Sequence, residues 1–346
     1  MTANFNTTVA TGPDLAAPFI SIVIPAKGGI GTLRRCLDSI AAAVYERQEV
    51  IIVDDGIDAD LHAELLAGGH RLVPNQGKGV SAARNTGACE ATGDVIFFVD
   101  SDILISPDTL SRLAAHFSQP EVDGVVGVLS TEIPHEDFFS HYKNLWMRYT
   151  YLRVPDTIAL FYTSVAAIRR SHFLDLGGFD EHYCSPSVED TDFGHKLGRH
   201  RITIRSDKEL EVVHLKRYRF ADTLRTDFQR SSALVRHVLR TSPGIGPGRL
   251  RQTSVPIHFT SSVILSLVLS PLLAVAGICR PGLLPAAAGL LGGGVCLANL
   301  PFLRFLRMCR GTGFMVKSCL FLPLDILSVD LGILHGFWSY LRGKRY

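Results

Sequence analysis

The sequence predicts an α/β domain followed by a C-terminal helical membrane region. Between residues 19 and 215, short β-branched and apolar runs alternate with amphipathic stretches. This alternation is typical of a largely parallel sheet that is covered by helices on both faces. After residue 256, two long runs contain no charged residue, and each exceeds the roughly 20 helical residues needed to cross a bilayer.

Five strands and four helices are expected in the first part of the chain. The strands are the runs ISIVI, EVIIV, RLV, DVIFFV and GVVGVL, which end at residues 24, 53, 73, 99 and 129. The helices are expected at residues 32–44, 58–67, 79–91 and 107–117. The last helix is predicted to have Ser106 as its N-cap and Pro107 at its first position. A later strand is expected at residues 210–213.

The C-terminal region contains three apolar segments. Residues 257–279 and 283–303 are predicted to span the membrane. The third segment, residues 314–340, is interrupted by charged residues and a proline, namely Lys317, Pro323, Asp325 and Asp330. A kinked span, a re-entrant hairpin and a surface-lying helix therefore all remain open for this segment.

Basic residues flank the two predicted spans unevenly. The link between the spans holds only Arg280, whereas both outer sides are basic. The outer residues are Arg236, Arg240, Arg249 and Arg251 before the first span, and Arg304, Arg307, Arg310 and Lys317 after the second. The positive-inside rule therefore predicts a multi-pass protein of the cell inner (cytoplasmic) membrane whose N-terminal domain is cytosolic.

The charge balance and the cysteine content limit the binding partners and the redox state that the chain can be expected to have. The chain has 35 Lys and Arg against 33 Asp and Glu, so its charge gives no reason to propose a nucleic-acid partner. Its seven cysteines form no C-x-x-C pair, which favours reduced, packed thiols.

The predicted division is a disordered tail at 1–18, the α/β domain at 19–216, a basic amphipathic helix at 217–240, a linker at 241–256 and the membrane region at 257–346.

Polar residues follow three of the predicted strands. They are Pro25, Ala26 and Lys27 after the first, Asp54 and Asp55 after the second, and Asp100, Ser101 and Asp102 after the fourth. The carboxyl ends of parallel strands meet at one edge of the sheet, where ligands bind. Two carboxylates spaced i and i+2 suit Mg²⁺ or Mn²⁺. The alternative is that Asp100 caps the next helix and Asp102 is simply solvated.

A glycine-rich segment lies between the second and fourth strands. Residues 75–87, NQGKGVSAARNTG, contain Asn75, Gly77, Lys78 and Arg84. Such a segment approaches a diphosphate or a base closely and then starts a helix whose N-terminus favours anions. An ordinary turn is the alternative interpretation.

In order and spacing these pieces resemble the family 2 glycosyltransferases, which are inverting enzymes with a Rossmann-like GT-A fold. The matching pieces are SIVIPAKGG at 21–29, VDDG at 53–56, the segment at 75–87, FFVDSD at 97–102, GGFDE at 177–181 and EDTDFGHKLGR at 189–199. The resemblance implies a nucleotide-sugar donor, with a UDP-sugar favoured over a GDP-sugar. The implied donor site comprises Pro25, Ala26, Lys27, Asp54, Asp55, Asn75, Gly77, Lys78, Arg84, Asp100 and Ser101.

The resemblance also implies a metal site and a general base. Asp100 and Asp102 would hold Mn²⁺ or Mg²⁺, with Asp102 as the firmest ligand, and His214 is either a further ligand or an ordinary hydrogen-bonding residue. Asp190 would be the general base, with Glu189 beside it. The alternative for this acidic pair is that it only offsets the dipole at the start of a helix.

Some features depart from the family or stay ambiguous. Ala26 and Lys27 stand where relatives usually have an aromatic residue and an asparagine, which leaves the contact at that loop in doubt. The helix at 217–240 either binds the membrane surface or packs on the catalytic domain. The aromatic stretch at 135–152 either borders the acceptor site or belongs to the core.

The leading hypothesis is an inverting, metal-dependent glycosyltransferase that moves a single sugar to a lipid-linked or glycan acceptor at the membrane. Processive synthases usually carry Q-x-x-R-W, whereas residues 228–233 read FQRSSA, so single-sugar transfer is favoured. The alternatives are a processive polysaccharide synthase and an inactive, membrane-anchored scaffold that binds nucleotide-sugars.

Overall fold

The computed structural model describes residues 17–28, 31–183, 187–241 and 254–346. Most of the predicted tail (1–18) and linker (241–256) lies outside the described residues, as do Cys184, Arg249 and Arg251. Within the described part, nine strands form one sheet. Their order is β3-β2-β1-β4-β8-β6-β9-β5, and β7 pairs with β9.

The strands alternate with helices along the first two thirds of the chain. The strands are β1 Ile20–Gly28, β2 Gln48–Ile57, β3 Leu72–Pro74, β4 Val95–Phe98, β5 Ile103–Ile105, β6 Gly124–Leu129, β7 Thr157–Ile158, β8 Ala166–Arg169 and β9 Ile204–His214. The helices are α1 Gly31–Ala41, α2 Ala59–Ala67, α3 Gly79–Glu90, α4 Thr109–Phe117, α5 Phe138–Leu152, α6 Arg170–Asp175, α7 Glu189–Arg199, α8 Phe220–Thr241, α9 Ile257–Cys279, α10 Leu284–Ala298 and α11 Leu300–Leu341.

The predicted α/β class is confirmed, but the sheet is mixed rather than largely parallel. β1 pairs in parallel with β2 and β4, and β2 pairs in parallel with β3. In the other half, β8 runs antiparallel to β4 and β6, and β9 is antiparallel to β5 and β7. The short strands β5, β7 and β8 have two to four residues, too few to show a period in the sequence.

The core holds the strand ends and α3 in fixed positions. Ile22 and Val23 of β1 and Phe97 and Phe98 of β4 are fully buried. Helix α3 packs against β1 and β2 at Gly87, where an added Cβ would lie 2.3 Å from Cγ1 of Val23. The ends of β1, β2 and β4 and the start of α3 therefore meet at one edge of the sheet.

Helix α4 starts two residues later than expected. Asp108 occupies the N-cap position, and Thr109 is the first helical residue. The backbone N–H of Ser106 donates to Oγ1 of Thr109 at 3.0 Å, and this bond closes a turn before the helix. The prediction of Ser106 as N-cap and Pro107 at the first position was therefore wrong.

Two of the described helices, α9 and α11, are long and apolar enough to cross a bilayer by length and composition. Helix α9 coincides with the first predicted span. The second predicted span is divided, because α10 ends at Ala298 and α11 begins at Leu300. Helix α11 itself is interrupted at Gly311, whose φ of 83° is left-handed. These two helices suggest association with a membrane.

The second half of α11 runs parallel to α8. Oγ of Ser328 donates to the carbonyl of Leu224 at 2.7 Å, and the hydroxyl of Tyr340 donates to the carbonyl of Leu239 at 3.1 Å. Between these contacts the helices approach closely, since a Cβ at Gly336 would lie 2.7 Å from the carbonyl oxygen of Ser232. The basic amphipathic helix thus packs on the last apolar segment.

Candidate active site

Asp54, at the end of β2, uses its carboxylate to close a turn. Its Oδ1 accepts from the backbone N–H groups of Gly56 at 2.9 Å and Ile57 at 2.8 Å. Its Oδ2 lies 3.6 Å from Nε2 of His62. These contacts occupy the Asp54 side chain within its own loop.

Asp55 faces the glycine-rich segment instead. Its Oδ1 accepts from Nδ2 of Asn75 at 2.6 Å and from the backbone N–H of Gly79 at 3.2 Å. Its Oδ2 lies 3.8 Å from Nζ of Lys27. Of the two aspartates that the sequence could not separate, Asp55 is therefore the one aimed at the start of α3.

The three residues at the end of β1 differ in how far their side chains are exposed. Pro25 is partly buried, and Ala26 is only 2% exposed, so its side chain belongs to the core. Lys27, by contrast, has a side chain that is 74% exposed and lies near Asp55. Lys27 is thus the only one of these three side chains that is free to reach into an open site.

The glycine-rich segment is held in shape by Asn75. The Oδ1 of Asn75 accepts from the backbone N–H of Gly77 at 3.1 Å. A Cβ at Gly77 would lie 2.7 Å from Cβ of Ala82, so the close approach here requires glycine. Lys78 is exposed at the N-cap position of α3. A cation and a helix N-terminus therefore lie together, an arrangement that favours an anion.

Arg84 of α3 joins two acidic parts of the site. Its guanidinium donates to Oδ1 of Asp100 at 2.7 Å and to Oε1 of Glu189 at 3.1 Å. Burial opposes the charged form of Arg84, but the two carboxylates outweigh burial and raise its pKa. The Arg84 side chain is only 3% exposed, so it is enclosed between its partners. This geometry makes Arg84 a positioning residue that links the end of β4 to the start of α7.

Glu189 is also enclosed. It is 4% exposed, and its Oε2 accepts from the backbone N–H of Ser187 at 2.7 Å while Oε1 holds Arg84. Both carboxylate oxygens therefore have protein partners. Glu189, expected beside the base, occupies a position that supports the site rather than one that faces it.

Asp102 and His214 form a pair at the junction of β4, β5 and β9. Nε2 of His214 lies 3.5 Å from Oδ2 of Asp102. Burial would raise the Asp102 pKa, but the hydrogen bond and charge of His214, with the charge of Lys216, lower it below its usual value. The side chains of Asp100 and Asp102 are 29% and 27% exposed, so both retain access to the cleft. Ser101 between them is also partly exposed.

Asp190 has the environment of a base. It lies in the first turn of α7, and its Oδ1 accepts from the backbone N–H of Thr191 at 2.6 Å. Burial and then the negative charge of Glu189 raise its pKa to about 6, although Arg230 and Arg84 oppose the rise. A carboxylate with a pKa near working pH is well suited to accept a proton.

The sequence did not point to three residues that interact electrostatically with these carboxylates. They are Tyr151, Tyr218 and Arg230. Burial raises the pKa of Tyr218 to about 12, with Arg230 opposing and Asp102 contributing to the rise. Burial lowers the Arg230 pKa, yet Tyr218, Tyr151 and Asp190 outweigh it and raise that pKa. The Arg230 side chain is nevertheless exposed to solvent. The only available signal was FQR at 228–230, which lacks the tryptophan of the processive motif.

The same two phenols connect the separate acidic groups. The charges of Asp190 and Asp100 both contribute to the raised pKa of Tyr151, after burial. Asp102 and Asp100 both act on Tyr218. The end of β4 and the start of α7 therefore lie close together, as the two ion pairs of Arg84 also show. Within the described residues, no group of three or more His, Cys, Asp or Glu is preassembled as a metal cage.

The architecture around this cleft is of the GT-A type. A mannosyltransferase from Pyrobaculum calidifontis, PcManGT, solved in complex with GDP-Man and Mn²⁺, superposes with a TM-score of 0.57. The match covers 94% of this chain and 88% of that chain at 19% sequence identity. Agreement at this level of identity concerns the fold.

The sequence comparisons identify the α/β domain. The model described as Glycosyl transferase family 2 matches residues 21–177, so the chain carries a family 2 glycosyltransferase domain, as its motifs predicted. The pre-mycofactocin glycosyltransferase of Mycobacterium tuberculosis is 29% identical over 238 residues, which are 65% of this chain and 49% of that protein. The PGL/p-HBAD biosynthesis glycosyltransferase of Mycobacterium bovis is 36% identical over 121 residues, which are 32% of this chain and 46% of that protein. The chain spans about half the length of these relatives.

Proposed function

We propose that this protein transfers a single sugar, with inversion, from a nucleotide-sugar to a lipid-linked acceptor at a membrane surface. The observation that carries the proposal is the double ion pair of buried Arg84 with Asp100 and Glu189. It fixes the acidic end of β4 relative to the first turn of α7, where Asp190 lies. Donor and acceptor groups need this kind of fixed relation to react.

The donor would lie along the sheet edge. Asp55 and Asn75 bond to each other at this edge, and their carboxylate and amide groups suit hydrogen bonds to the base or ribose. Lys27 and Lys78 are exposed cations beside them, and the N-terminus of α3 adds a positive partial charge. The solved mannosyltransferase binds GDP-Man, so guanosine and uridine donors both belong in the assay.

The carboxylates of Asp100 and Asp102 fit a divalent cation that also binds the donor diphosphate. Mg²⁺ is usually held by one or two protein carboxylates together with substrate phosphates rather than by an all-protein cage. Two partly exposed aspartates match that pattern, and His214 orients Asp102. When bound, Mn²⁺ or Mg²⁺ would act as a Lewis acid on the leaving diphosphate.

The protein's own groups would perform the proton transfer and orient the reactants. Asp190 would accept the proton from the acceptor hydroxyl as that oxygen attacks the anomeric carbon from the face opposite the leaving group. Arg230, whose charge interacts with that of Asp190, would offset negative charge as the diphosphate departs. Arg84 and Glu189 would hold Asp190 in place.

The C-terminal helices would hold the cleft at the bilayer surface. The hydroxyl of Tyr149 on α5 bonds to Nε2 of His258 at 2.9 Å, and Nδ1 of His258 bonds to Oδ1 of Asn299 at 2.9 Å. The start of α9 is thus anchored to α5, and the end of α10 is held to the start of α9. The tip at Arg280 lies about 34 Å away along α9, given 23 residues at about 1.5 Å each.

Helix α11 would lie along the membrane surface rather than across it. One side packs on α8 and α5, and the opposite side carries exposed apolar residues at three-, four- and seven-residue steps. These are Val316, Leu320, Leu324, Leu331, Leu334, Trp338 and Leu341. A helix with a protein-facing side and a continuous exposed apolar stripe suits the interface.

The direct test is donor turnover by the detergent-solubilised full chain. UDP- and GDP-sugars are supplied with Mn²⁺ or Mg²⁺, and nucleoside diphosphate release is measured with and without a polyprenyl phosphate. We expect metal-dependent release, and Asp102→Ala should weaken metal and nucleotide binding together. Unchanged nucleotide affinity in that variant would contradict the metal assignment. No turnover of any donor by folded protein would favour a binding scaffold.

A further inference from the structure

An apolar groove lies between the catalytic domain and α11. It has a volume of about 390 Å³, within the range of about 300–1,000 Å³ typical of small-molecule sites. Its lining residues are Phe138, Phe139, Lys317, Leu320, Phe321 and Leu324. The groove is shallow and widely open to the outside, and Lys317 is its only charged lining residue.

The groove has rigid walls. The rings of Phe139 and Phe321 lie 5.2 Å apart at 72°, and those of Phe138 and Phe321 lie 6.0 Å apart at 87°. Asp137 caps α5 beside them by accepting from the backbone N–H of Ser140 at 3.0 Å. Edge-to-face aromatic packing and a capped helix end hold this surface in place.

A short segment connects the groove to the catalytic cleft. Residues 214–220 run from His214, beside Asp102, to Phe220, whose ring lies 5.5 Å from that of Phe139. Tyr218 in the middle of this segment donates its backbone N–H to Oγ of Ser140 on α5 at 2.9 Å. The cleft and the groove are therefore two ends of one surface.

This connection is positively charged and exposed. Lys216, Arg217 and Arg219 all lie within the segment and are exposed, and Lys317 stands at the groove. Arg217 is paired with Asp137 at 3.4 Å, which leaves Lys216, Arg219 and Lys317 as the main cations. A phosphate suits these cations, and an apolar chain suits the groove. Leu320 is 75% exposed and belongs to the apolar stripe of α11, so the groove opens where the bilayer would be.

We propose that the groove binds the hydrocarbon chain of a lipid phosphate acceptor, with the phosphate directed along the basic segment toward the cleft. This inference rests on the proposed function and specifies its acceptor as a polyprenyl phosphate. Charge complementarity along residues 216–219 supports this occupant over a neutral lipid.

The test compares two acceptors that differ only in chain length. A long polyprenyl phosphate would occupy the groove, whereas water-soluble geranyl phosphate would fill little of it. Leu320→Trp should obstruct the groove, and Leu331→Trp is the matched control on the same exposed stripe of α11 outside it. Sugar transfer to each acceptor is measured with the full chain in detergent, together with donor hydrolysis.

We expect Leu320→Trp to raise KM for the long acceptor roughly tenfold, the effect of losing burial for about two methylene groups of the chain. Transfer to geranyl phosphate, donor hydrolysis and the Leu331→Trp variant should stay near wild type. Leu320→Glu, which puts a negative charge at the mouth of the groove, should have the same selective effect.

Equal changes for both acceptors, or no change in KM for the long acceptor in either Leu320 variant, would overturn the groove assignment. A loss of binding to anionic vesicles in the Leu320 variants, without a change in KM, would assign the groove to a bilayer phospholipid. Absence of transfer by the wild type to any acceptor would instead contradict the proposed function.

Discussion

The α/β domain and the C-terminal helices distribute polar and apolar groups in opposite ways. In the α/β domain, strands such as β4 are fully buried and apolar, and the carboxylates collect at the edge of the sheet. In the C-terminal helices, many apolar side chains are exposed, including Leu272 at 61% and Ile278 at 81%. Polar residues such as Asn299 and Ser262 are completely buried there.

The difference is the one expected if the α/β domain faces water and the C-terminal helices face lipid. In water, burying apolar surface is favourable and polar groups remain outside. In lipid, polar groups face the protein interior and bond to one another, as Nδ2 of Asn299 does with Oγ of Ser262 at 2.5 Å. Helix α8 connects the two regions, because Nδ1 of His237 lies 3.4 Å from Oδ1 of Asp192 on α7 and Oγ of Ser232 bonds to Nδ1 of His335 on α11 at 2.8 Å.

The largest expected effect comes from replacing Asp190, the proposed general base. Asp190→Asn keeps an oxygen that can accept from the backbone N–H of Thr191, so the fold and donor binding should persist. Sugar transfer should fall by on the order of 10²- to 10⁴-fold, the usual contribution of a general base. Asp192→Asn, two residues along α7, is the control. Transfer at the wild-type rate by Asp190→Asn would remove this residue from the mechanism.

The same substitution should act differently in the two regions. Leu272→Lys places a charge in the middle of α9 and should cost about 3 kcal/mol of membrane insertion. Leu66→Lys, at a residue that is 54% exposed on α2, should change stability by less than about 0.5 kcal/mol. Flotation of the full chain with liposomes measures the first effect, and thermal unfolding measures the second. Equal flotation of both variants would show that α9 does not enter the bilayer.

Close packing of α8 on α11 should depend on Gly336, which has no side chain. Gly336→Leu would force a side chain against Ser232 and Val235, where an added Cβ already lies 2.7 Å from a carbonyl oxygen. We expect a loss of about 1–3 kcal/mol, visible as a lower Tm in detergent. Gly313→Leu is the control on the same helix, since a Cβ there meets nothing within 4 Å. Similar Tm values for both variants would contradict the packing.

The smallest expected effect is a pH dependence of the sugar-transfer rate, which arises from Asp190 in the α/β domain. Because the Asp190 pKa is raised to about 6, its carboxylate becomes protonated as pH falls through that value. The transfer rate should therefore decline on the acidic side of about pH 6, by about tenfold for each further pH unit. Residual activity of Asp190→Asn should lack this decline. A wild-type profile that stays flat to pH 5 would contradict the assignment.

Local patterns predicted many of the elements but not their partners. The run ISIVI predicted β1, and the apolar run at 257–279 coincides with α9. For residues 135–152, the sequence left open a place beside the acceptor site or in the core. In the structure, residues 138–152 form α5, whose aromatic side chains pack against the C-terminal helices and line part of the groove. Strands β7 and β8 escaped prediction because two to four residues carry no period, and their pairing depends on distant segments.

The sequence by itself determined the strand–helix order, the acidic strand ends and the apolar C-terminal segments, since each follows from neighbouring residues and their period. Only the tertiary structure decided that Asp54 closes a turn while Asp55 bonds to Asn75 near the start of α3, and that Arg84 holds Glu189 from 105 residues away. It also decided that α11 packs in parallel on α8. These outcomes depend on which distant groups meet, and the preferences of adjacent residues carry no information about that.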